Sequence, residues 1–211
     1  MSTTARAALI ADTALKVIAD CGLRGLTHRG VDVAADLPPG SSSYYFRTRA
    51  ALVAAAVERL VELELADLHQ LQLAERRMGV EEFAGLGVQL LRRWTTDVAW
   101  RHVARYELLL ESRRRPEVRA PLHRAGELLR ERFAAALRFQ GIAQPELRAR
   151  WFAAAIDGLL LDALAGPASA TPRTPEQWQV VATDLAHAIL RDRAAADDSA
   201  VESAPPRRDT Q

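Results

Sequence analysis

An all-α fold is predicted by two observations. Beyond Gly79 no stretch alternates polar and apolar residues with period two; long alanine- and leucine-rich segments are separated instead by proline or glycine breaks. Upstream, residues 22–52 pack two short helix starts, a tight turn and a run of hydroxylated and cationic side chains into one stretch, which is how a helix-turn-helix is written. The predicted organisation is an N-terminal three-helix domain over residues 1–50, a helical body over 51–193 and a tail over 194–211.

Each element has its own signals. Leu9, Ile10, Ala14, Val17, Ile18 and Cys21 fall at helical spacing, so a first helix runs from Arg6 to Cys21, with Cys21 expected to be a buried small hydrophobe. Thr27 can cap a second helix reaching Ala35, with Val31, Ala34 and Ala35 as its buried side. Asp36-Leu37 make the turn, and a short third helix starts at Pro38 or Pro39, where a missing N–H does no harm, and ends near Tyr45-Phe46. Thr48 caps a long helix predicted to reach Arg77, whose Glu58, Arg59, Glu62 and Glu64 form a solvated face. Segments 81–113, 121–140, 146–165 and 175–193 follow, the first broken near Thr96-Asp97.

Composition excludes more than it identifies. The chain has 211 residues, about half of them hydrophobic, which is enough for a sizeable core; its net charge is only +1. Every basic residue except Lys16 is arginine, a bias that points to base composition of the genome more than to function. Cys21 is the sole cysteine, so no internal disulfide forms. No run approaches the ~20 apolar residues of a bilayer span and the N-terminus lacks a secretory pattern, so a cytoplasmic protein away from membranes is expected. Residues 194–211, rich in Ala, Ser, Asp and Pro, read as a disordered tail.

The short third helix exposes Ser41, Ser42, Tyr44 and Tyr45, groups that reach base edges and phosphates in a major groove, and Arg47 and Arg49 follow where a backbone would pass. His28 is placed to meet a phosphate. Residues 1–49 carry six basic against four acidic side chains, a mild bias that a dimer would double. Leu26-Thr27-x-Arg29, Ala34-Ala35-x-Leu37, Pro39-Gly40-Ser41-x-x-x-Tyr45-Phe46 and Arg47-Thr48-Arg49-x-x-Leu52 together resemble the TetR family of transcriptional regulators over roughly residues 6–60. The resemblance implies a DNA-binding domain in which Thr27 and Arg29 contact phosphate and bases, Pro39, Gly40, Ser41, Ser42, Ser43 and Tyr45 read the groove, and Arg49 holds a phosphate. Two departures are visible: Asp36 stands where the family usually has a turn glycine, and Ser43 where many members have tyrosine.

For the body, the resemblance implies a C-terminal helical domain that binds a small ligand and dimerises. Polar and aromatic residues that can converge on a ligand are Trp94, Trp100, His102, Tyr106, Glu107, Glu111, Trp151 and Asp157, with core packing the plainer role for any one of them. His102 and Tyr106, like Glu107 and Glu111, are four apart and share a helix face. Gly158 and Leu161 after Asp157 suggest close helix approach, and in chains that resemble the TetR family this region forms the dimer seam with the last helix. Trp178, Val181, Leu185, Ala188 and Ile189 would be its other wall. The expected partners are a palindromic double-stranded operator, a small-molecule inducer and a second copy of the chain, with repression relieved by the inducer. No metal or cofactor is expected, because no Glu-x-x-His pair, His-Glu-x-x-His run, glycine-rich phosphate loop or cysteine zinc spacing occurs. A helical adaptor and a metal-binding helical enzyme are the competing classes.

Overall fold

A computed structural model of the chain describes residues 3–191. The tail assigned to 194–211 lies outside the described residues. Within them the regular structure is helical. It comprises α1 (Thr3–Gly25), α2 (His28–Ala34), α3 (Ser41–Tyr45), α4 (Arg49–Gln70), α5 (Val80–Thr95), α6 (Ala99–Ser112), α7 (Pro116–Phe139), α8 (Pro145–Ala165) and α9 (Pro175–Leu190), with a 3₁₀ turn at Pro167–Ala170.

The head is built on one continuous apolar cluster. Ile10, Leu15 and Ile18 of α1, Leu26, Val31 of α2, and Leu52 and Val57 of α4 are buried together, and the cluster continues into Ala104 and Leu108 of α6 and Val118 of α7. The first three helices therefore share their core with the body, and α6 lies along α1. A second cluster joins Phe83 of α5, Phe133 and Leu137 of α7, and Ala182 and Ile189 of α9. Leu91, Leu160 and Trp178 form a third between α5, α8 and α9.

Several boundaries differ from expectation, each for a local reason. α1 runs past Cys21 to Gly25, bending at Gly22 (φ 65°, ψ 174°), a conformation open to glycine. Cys21 is exposed, not buried. In α2 the buried partner of Val31 is Asp32, while Ala34 faces out. Asp36 takes the left-handed geometry (φ 52°) that glycine usually supplies, which aspartate tolerates better than most side chains. α3 starts at Ser41, after Gly40 at φ 89°, so both prolines precede the helix.

The long helix α4 stops at Gln70, not Arg77. Gln72 is left-handed (φ 52°), and buried Gln140 clamps the following loop: its amide donates to Leu73 O at 2.6 Å and Arg76 O at 2.7 Å, and its oxygen accepts from Met78 N at 3.0 Å. The break near Thr96 is present, with the Thr95 and Thr96 hydroxyls bonded back to Leu91 O and Arg92 O, both at 2.8 Å. Pro121, expected in a break, is inside α7 because the helix starts at Pro116 and loses only one early hydrogen bond there.

Candidate functional site

The head orders its reading helix from within. Thr27 accepts from Gly30 N at 3.0 Å and Thr48 from Ala51 N at 3.1 Å, so both threonine caps are made. Asp32, buried in α2, accepts from Gly40 N at 2.8 Å and Ser42 N at 2.7 Å and so tethers the first turn of α3. Burial alone would raise this carboxyl, but the hydrogen bonds from Ser42 and Gly40 and the charge of His28 hold it below the usual carboxylate range.

Three residues expected at DNA are structural. Ser42 is fully buried and its hydroxyl donates to His28 O at 3.0 Å. His28 donates through Nε2 to Phe46 O at 2.6 Å, which removes that nitrogen from any phosphate. Arg49 donates from Nε to Leu26 O at 3.1 Å and from Nη2 to Leu23 O, closing the end of α1. Tyr45 is half-buried against the head core, edge-on to Tyr44 at 5.3 Å. The hydroxyls of Ser41 and Ser43 bond back to Pro38 O and Gly40 O. The outward face retains Thr27, Arg29, Pro39, Gly40, Arg47 and Tyr44, the last 78% exposed. Val33 on α2 is also exposed and was not foreseen.

The body encloses a cavity of about 200 Å³ between α4, α5, α6, α7, α8 and α9. Its wall is mostly apolar, including Leu86, Leu90, Trp94, Phe133, Phe152 and Ile156. Four polar side chains interrupt it in one region: Glu64, His102, Arg105 and Asp157. His102 is 3% exposed, and neither of its ring nitrogens has a hydrogen-bond partner among the described residues. Burial, reinforced by the charges of Arg101 and Arg105, pushes its pKa down to about 3, so the ring is neutral and offers one donor and one acceptor. Trp94 lies against it at 4.9 Å between rings.

Arg105 stands between two carboxylates. Its Nη1 and Nη2 donate to Asp157, the latter at 3.3 Å, and its Nε is 3.3 Å from Glu64 Oε1. Tyr106 adds a bond from its hydroxyl to Asp157 O at 3.2 Å. Behind this layer, buried Asp67 accepts from Arg101, from Arg93 Nη1 at 2.7 Å and from Trp94 Nε1 at 2.8 Å. The network joins α4 to α5, α6 and α8.

Of the residues expected at a ligand, Trp94, His102 and Asp157 line the cavity. Trp100 packs instead on the head core, with Lys16 Nζ 5.5 Å from its ring centre. Glu107 lies beside Gly22, where an added Cβ would be 3.3 Å from its Oε2, and Glu111 pairs with Arg115 at 2.8 Å. Both serve the junction with the head. Tyr106 sits in the core behind Asp157, and Trp151 points outward from α8. Glu64, placed on a solvated face, is at the cavity wall; its pairing with Arg105, like that of Asp67 with Arg101, was missed.

The expected dimer residues divide. Gly158 and Leu161 lie on the outside of α8 with Trp151, Ala154 and Ala165, a heptad-spaced exposed stripe. A Cβ on Gly158 would meet nothing within 4 Å. On α9, however, Trp178 (3% exposed) and Ile189 are internal, Leu185 lines the cavity and Val181 is half-buried against Trp178. The apolar face of α9 is taken up in covering α5, so its outward positions are Val180, Asp184 and His187.

Comparison with known proteins follows this geometry. Residues 78–192 match the family model described as "Tetracyclin repressor-like, C-terminal domain". A transcriptional regulator from Rhodococcus sp. Rha1 superposes with a TM-score of 0.70 at 24% identity, over 92% of this chain and 100% of that one. A TetR-family member from Streptomyces coelicolor A3 does so with a TM-score of 0.64 at 29% identity, over 85% and 97%. The multidrug binding protein EbrR complexed with proflavin gives 0.56 at 30% identity, over 85% and 99%; EbrR complexed with ethidium is similar too. A comparison with curated proteins finds no match.

Proposed function

The chain belongs to the TetR family of transcriptional regulators, and from that premise we propose that it is a homodimeric repressor, released from a palindromic operator by a small aromatic molecule bound in the body cavity. As a member of this family it is a DNA-binding transcription factor and not an enzyme. The observation that carries the ligand reading is His102: a neutral, unpartnered imidazole in an apolar, aromatic-lined cavity is a hydrogen-bond anchor awaiting a guest. The complexes of EbrR with proflavin and ethidium favour an aromatic guest.

In this reading residues 1–50 read DNA and 51–193 sense and dimerise. Arg29, Tyr44 and Arg47 supply the exposed contacts of the head, with Thr27, Pro39 and Gly40 beside them. Two heads held about 34–36 Å apart span one turn of a palindrome. The outer stripe of α8, centred on Gly158 and Leu161, is the seam, joined by the outer face of α9. Coupling runs through α6, which carries His102 and Arg105 at the cavity and Ala104 and Leu108 in the head core. A ligand that moves this helix changes the spacing of the heads, to the extent that it prefers the altered state. The chain acts in the cytoplasm; no helix among the described residues is long and apolar enough to cross a membrane.

The test is a fluorescence-anisotropy titration against DNA upstream of the chain's own gene, at two salt concentrations with nonspecific competitor. Competitor-resistant, salt-dependent binding at dimer stoichiometry is expected. A chain that binds no sequence selectively, including one drawn from random-sequence selection, overturns the proposal.

A further inference from the structure

Every residue that lines the body cavity stands on a helix except Leu71 and Leu73. These two belong to the loop between α4, which ends at Gln70, and α5, which starts at Val80. Against the same loop lies a second hollow of about 510 Å³, formed with the last turns of α4 and with α7. Leu68, Leu73 and Phe133 line both hollows, so the partition between them is one side chain thick. Leu73 is 4% exposed and Phe133 9%, so that partition is shut. On its outer side the second hollow carries exposed polar residues, among them Glu62, His69 and Arg132.

The wall gives most easily here. A side chain borne on a packed helix moves far only with its helix, whereas Leu73 sits on a loop whose local opening leaves the helix ladders whole. That loop holds Gln72 in the left-handed region (φ 52°), and the Gln140 amide ties it to the end of α7 through Leu73 O, Arg76 O and Met78 N, bonds that remake when the loop closes. We infer that small molecules enter and leave the body cavity through the outer hollow, with Leu73 and Phe133 as its door. The inference takes the cavity for the ligand site, but the passage belongs to the fold and is read without any guest.

The probe is N-ethylmaleimide, a small uncharged thiol reagent, applied to the full chain with its exposed native thiol removed by Cys21→Ser. Ala182→Cys places a reporter thiol on the cavity wall, and Ala134→Cys places one in the core away from both hollows. Ala66→Trp and Ala74→Trp, at exposed positions on α4 and on the loop, each plug the outer hollow without touching the core. The cavity thiol is expected to react faster than the core thiol, and either plug to slow it about tenfold while leaving the core thiol within about twofold. Labelling of the cavity thiol that neither plug slows overturns the inference, and slowing by Arg130→Trp instead moves the passage to the α7 side of the wall, where Arg130 is partly exposed. A cavity thiol that labels only in step with the core thiol, or not at all, also overturns it. Labelling reads access and not affinity, so each of these failures leaves the cavity standing as the ligand site.

Discussion

Ser42 ties the first turn of the reading helix to an acid of the preceding one, its amide donating to Asp32 Oδ1 at 2.7 Å. The recognition element is five residues long, too short to hold itself, so its register depends on this tether and on Gly40 N, which bonds Oδ2 of the same carboxylate. Asp32→Ala is expected to lower stability by about 1–2 kcal/mol and to abolish selective operator binding. Because the folded carboxyl is held below its ordinary 3.8, the charged cap is complete at neutral pH and is lost only as the pH falls through that depressed value. Circular dichroism melts of wild type and Asp32→Ala from neutral pH to about pH 5 should therefore differ by a constant amount. A gap that closes within that range would remove the carboxylate from this role.

Much of the head was legible because its signals are local. Thr27 and Thr48 cap the helices that begin at His28 and Arg49, and the break near Thr96 is where two threonine hydroxyls end α5. What escaped sequence reading was long-range pairing. Ser42 looks like a base contact until Asp32 and His28 claim it, and Glu64 looks solvated until Arg105 arrives from α6. One signal was present: Glu64 and Asp67 are spaced three apart and Arg101 and Arg105 four apart, so each pair shares one helix face. On α9 the apolar spacing suggested the wall of a dimer seam, whereas within the protomer it packs on α5; periodicity does not say whether the burying surface is α5 or a second copy.

Gly22 lies at the contact between α1 of the head and α6 of the body. Its φ of 65° and ψ of 174° lie where side chains are rarely accommodated, and its missing Cβ leaves room for the Glu107 carboxylate of α6. Gly22→Ala is expected to destabilise the chain by about 1–3 kcal/mol. The proposed route through α6 further predicts that, in whatever fraction stays folded, operator affinity changes while ligand affinity does not. Paired melts and titrations check this; a shift confined to ligand binding would place the coupling route elsewhere.

Gly158 faces open space within one copy. Gly158→Arg therefore leaves the protomer fold intact, while at the proposed seam it sets a buried charge against its own symmetry mate. Sedimentation is expected to show monomers, with an unchanged far-ultraviolet spectrum and weakened binding to a palindrome. A variant that remains a dimer would move the interface off the α8 stripe.

His102 links stability to pH with the same sign as Asp32, but over a higher pH range. Neutral in the fold down to about 3 but ordinary near 6.5 when unfolded, it takes up a proton on unfolding throughout that interval. Stability then falls as the pH drops below 6.5, by up to about 1.4 kcal/mol per unit, until the folded ring is itself protonated near 3. Replacing the ring with an apolar group removes both this slope and an unpaired buried polar group. His102→Leu should thus be more stable than wild type by about 1 kcal/mol at neutral pH, and by about 2 kcal/mol more at about pH 5. Urea unfolding at both pH values measures the two differences. The same variant lacks the ring's hydrogen-bonding nitrogens, so a guest that uses them should bind it less tightly although the protein is firmer. A pH-independent gap between the two chains would mean that the imidazole is hydrated, and would remove it as the anchor of the cavity.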